Sequence, residues 1–117
     1  AGLPLKPLQH QDGESLVPVL KGILPPDERP IYWHYPHYSN QGGEPGSAIR
    51  KGKYKLIQLF EEDRTELYDL EADPGETRDL AEAMPGKVAE MQSLLQIWRQ
   101  SLGAKMPDPN PAYLPSP

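Results

Sequence analysis

The stretch SAIRKGKYKLIQLF, residues 47–60, decides the fold, because it contains two short strand patterns joined by a tight turn. The segment from Ser47 to Arg50 is predicted to be one strand, and the segment from Lys53 to Phe60 the next. Lys51-Gly52 lies between them, and glycine supplies the positive φ angle that two-residue hairpin turns favour. The pattern therefore predicts an antiparallel β-hairpin near the middle of the chain.

Two further strands are expected on either side of this hairpin. The segment from Ile31 to Tyr35 is β-branched and aromatic, which is typical of a strand. Pro36 ends it or places it at an edge, because proline has no N–H to donate to a ladder. After the charged turn 61–64, residues 65–70 form the last strand. The sequence thus predicts an antiparallel meander of three or four strands.

One long helix follows the strands. Its apolar residues recur at spacings of three and four, which places them on one face of an amphipathic helix. These residues are Val88, Met91, Leu95, Trp98 and Leu102. Pro85 falls near the first turn, and Gly103 ends the helix. We expect Met91 and Trp98 to pack in the core.

Two short helices are also expected. Ser15 can cap a helix from Leu16 to Lys21, and Gly22 suits the position that follows its last turn. After the turn at residues 73–75, Thr77 can cap a short helix over residues 79–81.

These elements predict an α+β fold, a small antiparallel sheet of three or four strands packed against one long C-terminal helix. The helix covers one sheet face, and the other face, with Tyr54, Tyr68 or the Trp33 strand, stays partly uncovered. Residues 1–30 are interpreted as an extended proline-rich arm with a short helix. Residues 31–104 form the sheet-plus-helix unit, and residues 105–117 a proline-rich tail.

Composition excludes several classes of function. The 117 residues include 12 Lys and Arg against 17 Asp and Glu, a net charge of −5, which argues against nucleic acid and anionic membranes as partners. There is no cysteine, so disulfides, thiolate metal sites and a cysteine nucleophile are excluded. No apolar run reaches the 18 residues or so of a membrane span, and no signal peptide opens the chain.

Candidate functional residues are few. The three histidines are His10, His34 and His37, and in a strand positions 34 and 37 point to opposite faces, so we predict no metal site. The acidic residues at 61–63 and 71–79 are interpreted as solvated turns. The aromatic segment around residues 32–38 can form the rim of a substrate cleft, with His34, His37 and Tyr38 as candidates, or it can serve only for packing.

Four segments, in this order, resemble the C-terminal end of arylsulfatase-type sulfatases, which belong to the alkaline-phosphatase-like superfamily. They are residues 12–22, 31–38, 48–57 and 66–81, with Asp79 in place of the commoner asparagine. The resemblance covers residues 12 to about 113. In that family, a large α/β catalytic domain is followed by a four-stranded antiparallel sheet and a C-terminal helix, which agrees with the architecture predicted above.

The resemblance implies a C-terminal fragment of a sulfuric ester hydrolase that packs on, and shapes the cleft of, an upstream catalytic domain of the same polypeptide. Family sulfatases use calcium and a formylglycine made from Cys or Ser in a Cys/Ser-x-Pro-x-Arg motif. This sequence has neither the motif nor the calcium ligands, so we expect no catalytic residue, no metal and no activity in this chain alone. The parent would act on a sulfated small molecule or sugar, in the periplasm or outside a bacterial cell.

Two other interpretations stay open. The chain can be an independent carbohydrate-binding module that uses Trp33, Tyr35 and Tyr38, in which case it binds a sugar without any other chain. It can also be the same subdomain of a related phosphatase or phosphodiesterase, which only the upstream nucleophile motif would decide.

Overall fold

The computed structural model describes residues 3–4, 6, 8–9, 13, 15–23, 29–108 and 110–112. Within these ranges the chain forms two helices and four strands. They are α1 (Val17–Leu20), β1 (Ile31–Tyr35), β2 (Gly46–Lys51), β3 (Tyr54–Leu59), β4 (Arg64–Asp69) and α2 (Pro85–Ser101). Neither helix in this part of the chain has the length and apolarity needed to cross a bilayer.

The strands form one antiparallel sheet in the order β1-β2-β3-β4, which confirms the predicted meander. The hairpin turn lies one residue later than predicted, because Lys51 still pairs with Tyr54 and continues the ladder. The turn residues are therefore Gly52 and Lys53, and Gly52 adopts a φ of +56°. Pairing of Leu59 with Arg64 likewise starts β4 one residue earlier than predicted.

The hydrophobic core lies between α2 and one face of the sheet. Strands β2, β3 and β4 each contribute one side chain to it, and α2 contributes two. These side chains, each at most 1% exposed, are Ile49, Leu56, Leu67, Met91 and Leu95. This confirms the α+β fold and the core position of Met91. Burial of aliphatic side chains of this size contributes about 1.5–3 kcal/mol each.

Tyr54 also packs against this core rather than on the uncovered face, which corrects one part of the prediction. The correction follows from the alternation of side chains, because Tyr54 lies two residues before the buried Leu56, and its partner Asp69 lies two residues after the buried Leu67. Side chains alternate between faces, so Tyr54 shares the helix side with Leu56.

Specific contacts fix α2 across the sheet. Near its beginning, Glu90 accepts hydrogen bonds from Lys87 at 2.6 Å and Lys51 at 2.9 Å, and these two ammonium groups lower the pKa of Glu90 to about 2. Near its end, the rings of Trp98 and Tyr32 stack at 4.8 Å with an interplanar angle of 5°. The helix is thus held at both ends, by charge at one and by aromatic stacking at the other.

Glycines close both helices as predicted. Gly22 follows α1 with a φ of +67°, and Gly103 follows α2 with a φ of +59°, a backbone region that favours glycine. The predicted cap of α1 is wrong, because Leu16 holds the N-cap position and no side chain caps the helix there. Ser15 Oγ instead lies 3.4 Å from the backbone nitrogen of Val17.

The short helix predicted over residues 79–81 does not form. Asp79 Oδ1 accepts hydrogen bonds from the backbone N–H groups of Leu67 at 2.9 Å and Ala81 at 2.8 Å, and the N–H of Leu80 donates to the carbonyl of Leu67 at 2.8 Å. An edge strand presents unpaired backbone groups. Residues 79 and 80 supply hydrogen-bond partners for the backbone N–H and C=O groups of Leu67 in β4. This pairing favours an irregular conformation over a helical turn.

Candidate functional site

The sheet face opposite α2, which we call the open face, carries an apolar stripe. The register places Trp33 beside Ala48 and Ile57 on this face. Along β1, Ile31, Trp33 and Tyr35 are exposed by 49%, 49% and 55%. A contiguous row of exposed apolar side chains on a rigid sheet is typical of an interaction surface.

The β4 side of the open face is polar and well ordered. Tyr68 is only 9% exposed and donates a hydrogen bond from its hydroxyl to Glu66 Oε2 at 3.0 Å. Burial, followed by this hydrogen bond, raises the pKa of Tyr68 to about 12. Arg64 pairs with Glu66, and Lys55 pairs with Glu76 at 2.7 Å. Ion pairs therefore bound the apolar stripe on one side.

A cleft of about 510 Å³ opens at the end of the sheet where β1 and β3 finish. Its walls come from the loop after β1, the turn after β3 and the segment after α2. The lining residues are Tyr38, Pro45, Phe60, Glu61, Pro107, Asp108 and Asn110. Aromatic rings beside carboxylates and an amide suit a ligand that has both apolar faces and hydroxyl or amine donors.

The loop after β1 is closed by its own hydrogen bonds. The N–H of Ser39 donates to the carbonyl of Gly43 at 2.9 Å, and the N–H of Gly42 donates back to Ser39 at 3.1 Å. At the end of this loop, a Cβ on Gly46 would lie 2.9 Å from the carbonyl oxygen of Gln58. Glycine is therefore required there for β2 to pair closely with β3.

His34 is half-buried on the helix side of β1, and both of its ring nitrogens have partners within the chain. Nδ1 lies 2.7 Å from Ser47 Oγ, and Nε2 lies 2.7 Å from the carbonyl oxygen of Lys105. Ser47 Oγ also accepts a hydrogen bond from Arg99 Nη1 at 3.4 Å. The structure thus places His34 behind the cleft, between the sheet and the segment after α2.

His37 and Tyr38 lie beyond the end of β1, because Pro36 ends the strand. The His37 ring is exposed and meets the edge of Tyr35 at 5.6 Å, with an angle of 84° between the rings. Tyr38 is 66% exposed and lines the cleft. Of the three predicted rim residues, these two are at the surface at the cleft end, and His34 is separated from them.

Among the described residues, no three His, Cys, Asp or Glu side chains come close enough together to hold a metal ion. His10 lies outside those residues. The acidic turn after β4 is shaped by its carboxylates: Asp73 accepts hydrogen bonds from the backbone N–H groups of Arg78 and Thr77, which lower the pKa of Asp73. The sequence suggested that the carboxylates of this turn are only solvated, but Asp73 instead organises the backbone of the turn.

Sequence reasoning missed Phe60, which lines the cleft, and Arg99, which lies against the Phe60 ring. The Arg99 guanidinium lies 5.6 Å above the Phe60 ring, and burial lowers the pKa of Arg99. Arg99 follows Trp98 in α2 and therefore borders the apolar face of that helix, which is the one feature of the sequence that could have indicated it. Nothing local indicates that residues 34, 47, 99 and 105 meet.

Comparison with known proteins gives one family match. The model of the family described as N-sulphoglucosamine sulphohydrolase, C-terminal, matches residues 3–102. This match includes all four strands and α2.

Individual sulfatases show the same similarity. A protein named sulfatase from Formosa agariphila is 31% identical over 110 residues, which cover 84% of this chain and 20% of that protein. The crystal structure of a putative sulfatase from Bacteroides thetaiotaomicron superposes with a TM-score of 0.70 at 25% identity, covering 94% of this chain and 25% of that one. A second structure, in complex with its substrate D-glucosamine-2-N,6-O-disulfate, has a TM-score of 0.61 at 31% identity, covering 77% of this chain and 20% of that one. The chain spans about a fifth to a quarter of the length of these relatives.

Proposed function

The chain is a C-terminal sulfatase subdomain of the N-sulphoglucosamine sulphohydrolase C-terminal family, and we propose that it packs on an upstream catalytic domain of one larger sulfatase and shapes that domain's cleft. The proposal includes the activity of the parent protein, hydrolysis of a sulfuric ester in a sulfated small molecule or sugar. It is supported by the length of the relatives, of which this chain matches only 20–25%.

The observation that carries the proposal is the open face. On the helix-covered face Ile49, Leu56 and Leu67 are completely buried, whereas on the open face Ile31, Trp33 and Tyr35 remain about half exposed. Covering such side chains contributes about 25 cal/mol per Å² of apolar area. A catalytic domain held at high effective concentration by the shared polypeptide would gain that stabilisation without the cost of a free association.

The chemistry of ester hydrolysis is assigned to the catalytic domain. By family resemblance that domain holds the formylglycine and the calcium ion, and this chain supplies neither. We therefore expect the 117-residue chain alone to hydrolyse no aryl sulfate, with or without added Ca²⁺.

At the mouth of the cleft, the proposal assigns substrate contact to His37 and Tyr38. An imidazole and a phenol can both donate hydrogen bonds to the oxygens of a sulfated sugar. Both residues are exposed on a loop of a rigid sheet, the kind of position that commonly carries recognition. His34, the third predicted rim residue, has both nitrogens engaged within the chain, so its contribution to the rim is indirect.

Docking through the open face is tested by a matched pair of substitutions in the full-length sulfatase. Ile31 on the open face and Ile97 on the outer side of α2 are both exposed, by 49% and 60%. We expect Ile31→Lys to lower the melting temperature and activity of the full-length enzyme, because it buries a charge in the domain interface. Ile97→Lys should change neither. Equal effects of the two substitutions would exclude the open face as the docking surface.

The rim is tested by kinetics in the same enzyme. His37→Ala should lower kcat/KM for the natural substrate by about 10-fold, the effect of one lost hydrogen bond to a charged group. A small aryl sulfate that does not reach the rim should be hardly affected. Equal losses on both substrates would contradict the rim role and indicate impaired folding or docking.

The same preparations separate the remaining interpretations. Binding of a sulfated or neutral sugar by the 117-residue chain alone would favour an independent carbohydrate-binding module. A parent that cleaves phosphate esters and not sulfate esters would indicate a related phosphatase or phosphodiesterase.

A further inference from the structure

We propose that His34 is a positioning residue that fastens the segment after α2 to the sheet, and so fixes one wall of the cleft. The hydrogen bond between His34 and the Lys105 carbonyl is inferred from the geometry of this chain alone. Its effect on substrate binding rests on the function proposed above. The segment concerned, which we call the cleft strap, is the described part of residues 104–112.

The direction of each hydrogen bond follows from the chemistry of the partners. The carbonyl oxygen of Lys105 can only accept, so His34 Nε2 must carry the hydrogen that it shares at 2.7 Å. In the neutral ring, Nδ1 is then the acceptor, and the hydroxyl of Ser47 donates to it at 2.7 Å. Arg99 Nη1 donates in turn to Ser47 Oγ at 3.4 Å. The donors thus run in one direction from Arg99 to Lys105.

This relay links four parts of the fold. Arg99 belongs to the last turn of α2, Ser47 to β2, His34 to β1 and Lys105 to the cleft strap. Ser47 is only 3% exposed, so loss of its partner would leave a buried hydroxyl to be satisfied elsewhere. Because the relay is anchored on packed elements, it holds the strap in one place rather than tethering it loosely.

The position of the relay explains how it acts on the cleft. The His34 ring lies 5.8 Å from the Phe60 ring, and Phe60 lines the cleft from behind. Two and three residues after Lys105, Pro107 and Asp108 line the opposite wall. Pro107 has no N–H with which to bind the sheet. The bond from His34 to the Lys105 carbonyl therefore attaches the strap to the sheet just before this wall.

The bond is tested by tryptic cleavage of the 117-residue chain, because the bonded carbonyl belongs to the cleavable Lys105–Met106 peptide. His34→Asn can reproduce the contact of Nδ1 with Ser47 but does not reach Lys105. His34→Gln reaches approximately to Nε2 and can donate to the Lys105 carbonyl. Cleavage at the exposed Lys21–Gly22 bond, directly after α1, is the internal reference.

Relative to that reference, we expect His34→Asn to raise cleavage at Lys105–Met106 by up to about 10-fold, as expected for loss of one hydrogen bond. His34→Gln should restore most of the protection. No change in His34→Asn, or an equal rise in both variants, would overturn the proposal. Should both variants fail to fold, nitrogen chemical shifts of the unsubstituted chain decide: the proposal requires a His34 with Nε2 protonated and Nδ1 unprotonated, and the opposite tautomer would refute it.

In the full-length sulfatase, the cleft role predicts a split between kinetic constants. His34→Asn should raise KM for the natural substrate several-fold with little change in kcat, and His34→Gln should be close to the unsubstituted enzyme. If protection from trypsin changes as expected while KM does not, the His34 bond stands and the proposed role of the cleft at the substrate fails.

Discussion

The two faces of the sheet both carry large apolar side chains, but one face is buried and the other is exposed. On the helix side, Ile49, Leu56 and Leu67 are completely buried under α2. On the open face, Ile31 and Trp33 are about half exposed and are bounded by ion pairs at β4. The difference shows which surface this chain covers by itself and which surface it leaves exposed, the surface through which we propose that it docks.

On the helix side, specific contacts also fix the position of α2 on the sheet. Charge at Glu90 and aromatic stacking at Trp98 fix α2 at both ends. On the open face, the polar pairs described above lie towards β4, around Tyr68. The helix side thus has a fully buried apolar centre. The open face combines an exposed apolar centre with a polar border, as is usual for interfaces between domains or proteins.

The largest expected effect comes from adjacent residues of β3 that point to opposite faces. Leu56→Ala removes a side chain that is 0% exposed and should lower the free energy of unfolding of this chain by about 3 kcal/mol. Ile57→Ala on the open face should cost about 1 kcal/mol or less, because its site is partly solvated already. Urea denaturation of the two variants measures both values. Similar losses would mean that the open face is covered in the isolated chain.

In the full-length sulfatase, the difference in destabilisation between Leu56→Ala and Ile57→Ala should become smaller. If the catalytic domain covers the open face, Ile57→Ala becomes a substitution at a buried position, and its cost should rise above the value in the 117-residue chain. An unchanged cost would contradict docking through this face.

A smaller effect is expected at the edge that both faces share. Asp79→Ala removes the acceptor of the Leu67 N–H and should destabilise the chain by about 1–2 kcal/mol, the cost of an unpaired backbone donor at an edge strand. Asp79→Asn keeps an oxygen acceptor in the same place and is the matched control. Thermal unfolding compares the two, and a loss of the same size in both variants would show that charge, and not the hydrogen bond, is what Asp79 supplies.

The smallest effect concerns Tyr68 on the polar border of the open face and is confined to alkaline pH. Its pKa is raised from 10.0 to about 12, so the folded state holds its proton more tightly than the unfolded state. The corresponding stability is fully present below pH 10 and is lost as the pH rises from 10 towards 12. Tyr68→Phe should cost about 1 kcal/mol or less at pH 8, through the lost bond to Glu66, and should flatten the decline above pH 10. Denaturation at pH 8, 10 and 11 measures this, and an unchanged alkaline slope would refute it.

Most of the fold was predictable because it depends on periodicity. The alternation in the strands, the stripe from Val88 to Leu102 and the glycine after α2 are local patterns, and each predicted its element within a residue or two. The errors fell where two local preferences competed. Ladder pairing of Lys51 moved the hairpin turn by one residue, and the edge of β4 recruited Asp79, which overrode a helical turn at residues 79–81.

The candidate site was predictable only in part. The sequence indicated His37 and Tyr38, since they follow a strand that Pro36 must end. It placed His34 and His37 on opposite faces of the strand, but it gave no partners for the His34 ring, because these are contributed by residues 13 and 71 positions away. Contacts over such distances along the chain depend on where α2 ends and how it crosses the sheet.

The sequence alone therefore determined the sheet, the helix, the core stripe and the family resemblance, because hydrophobic period and turn chemistry act over a few neighbouring residues. Only the tertiary structure decided which sheet face is covered, which tyrosine is buried and which histidine is engaged. Those outcomes follow from packing α2 on one of two faces, and a pattern of period two does not by itself say which face the helix will take.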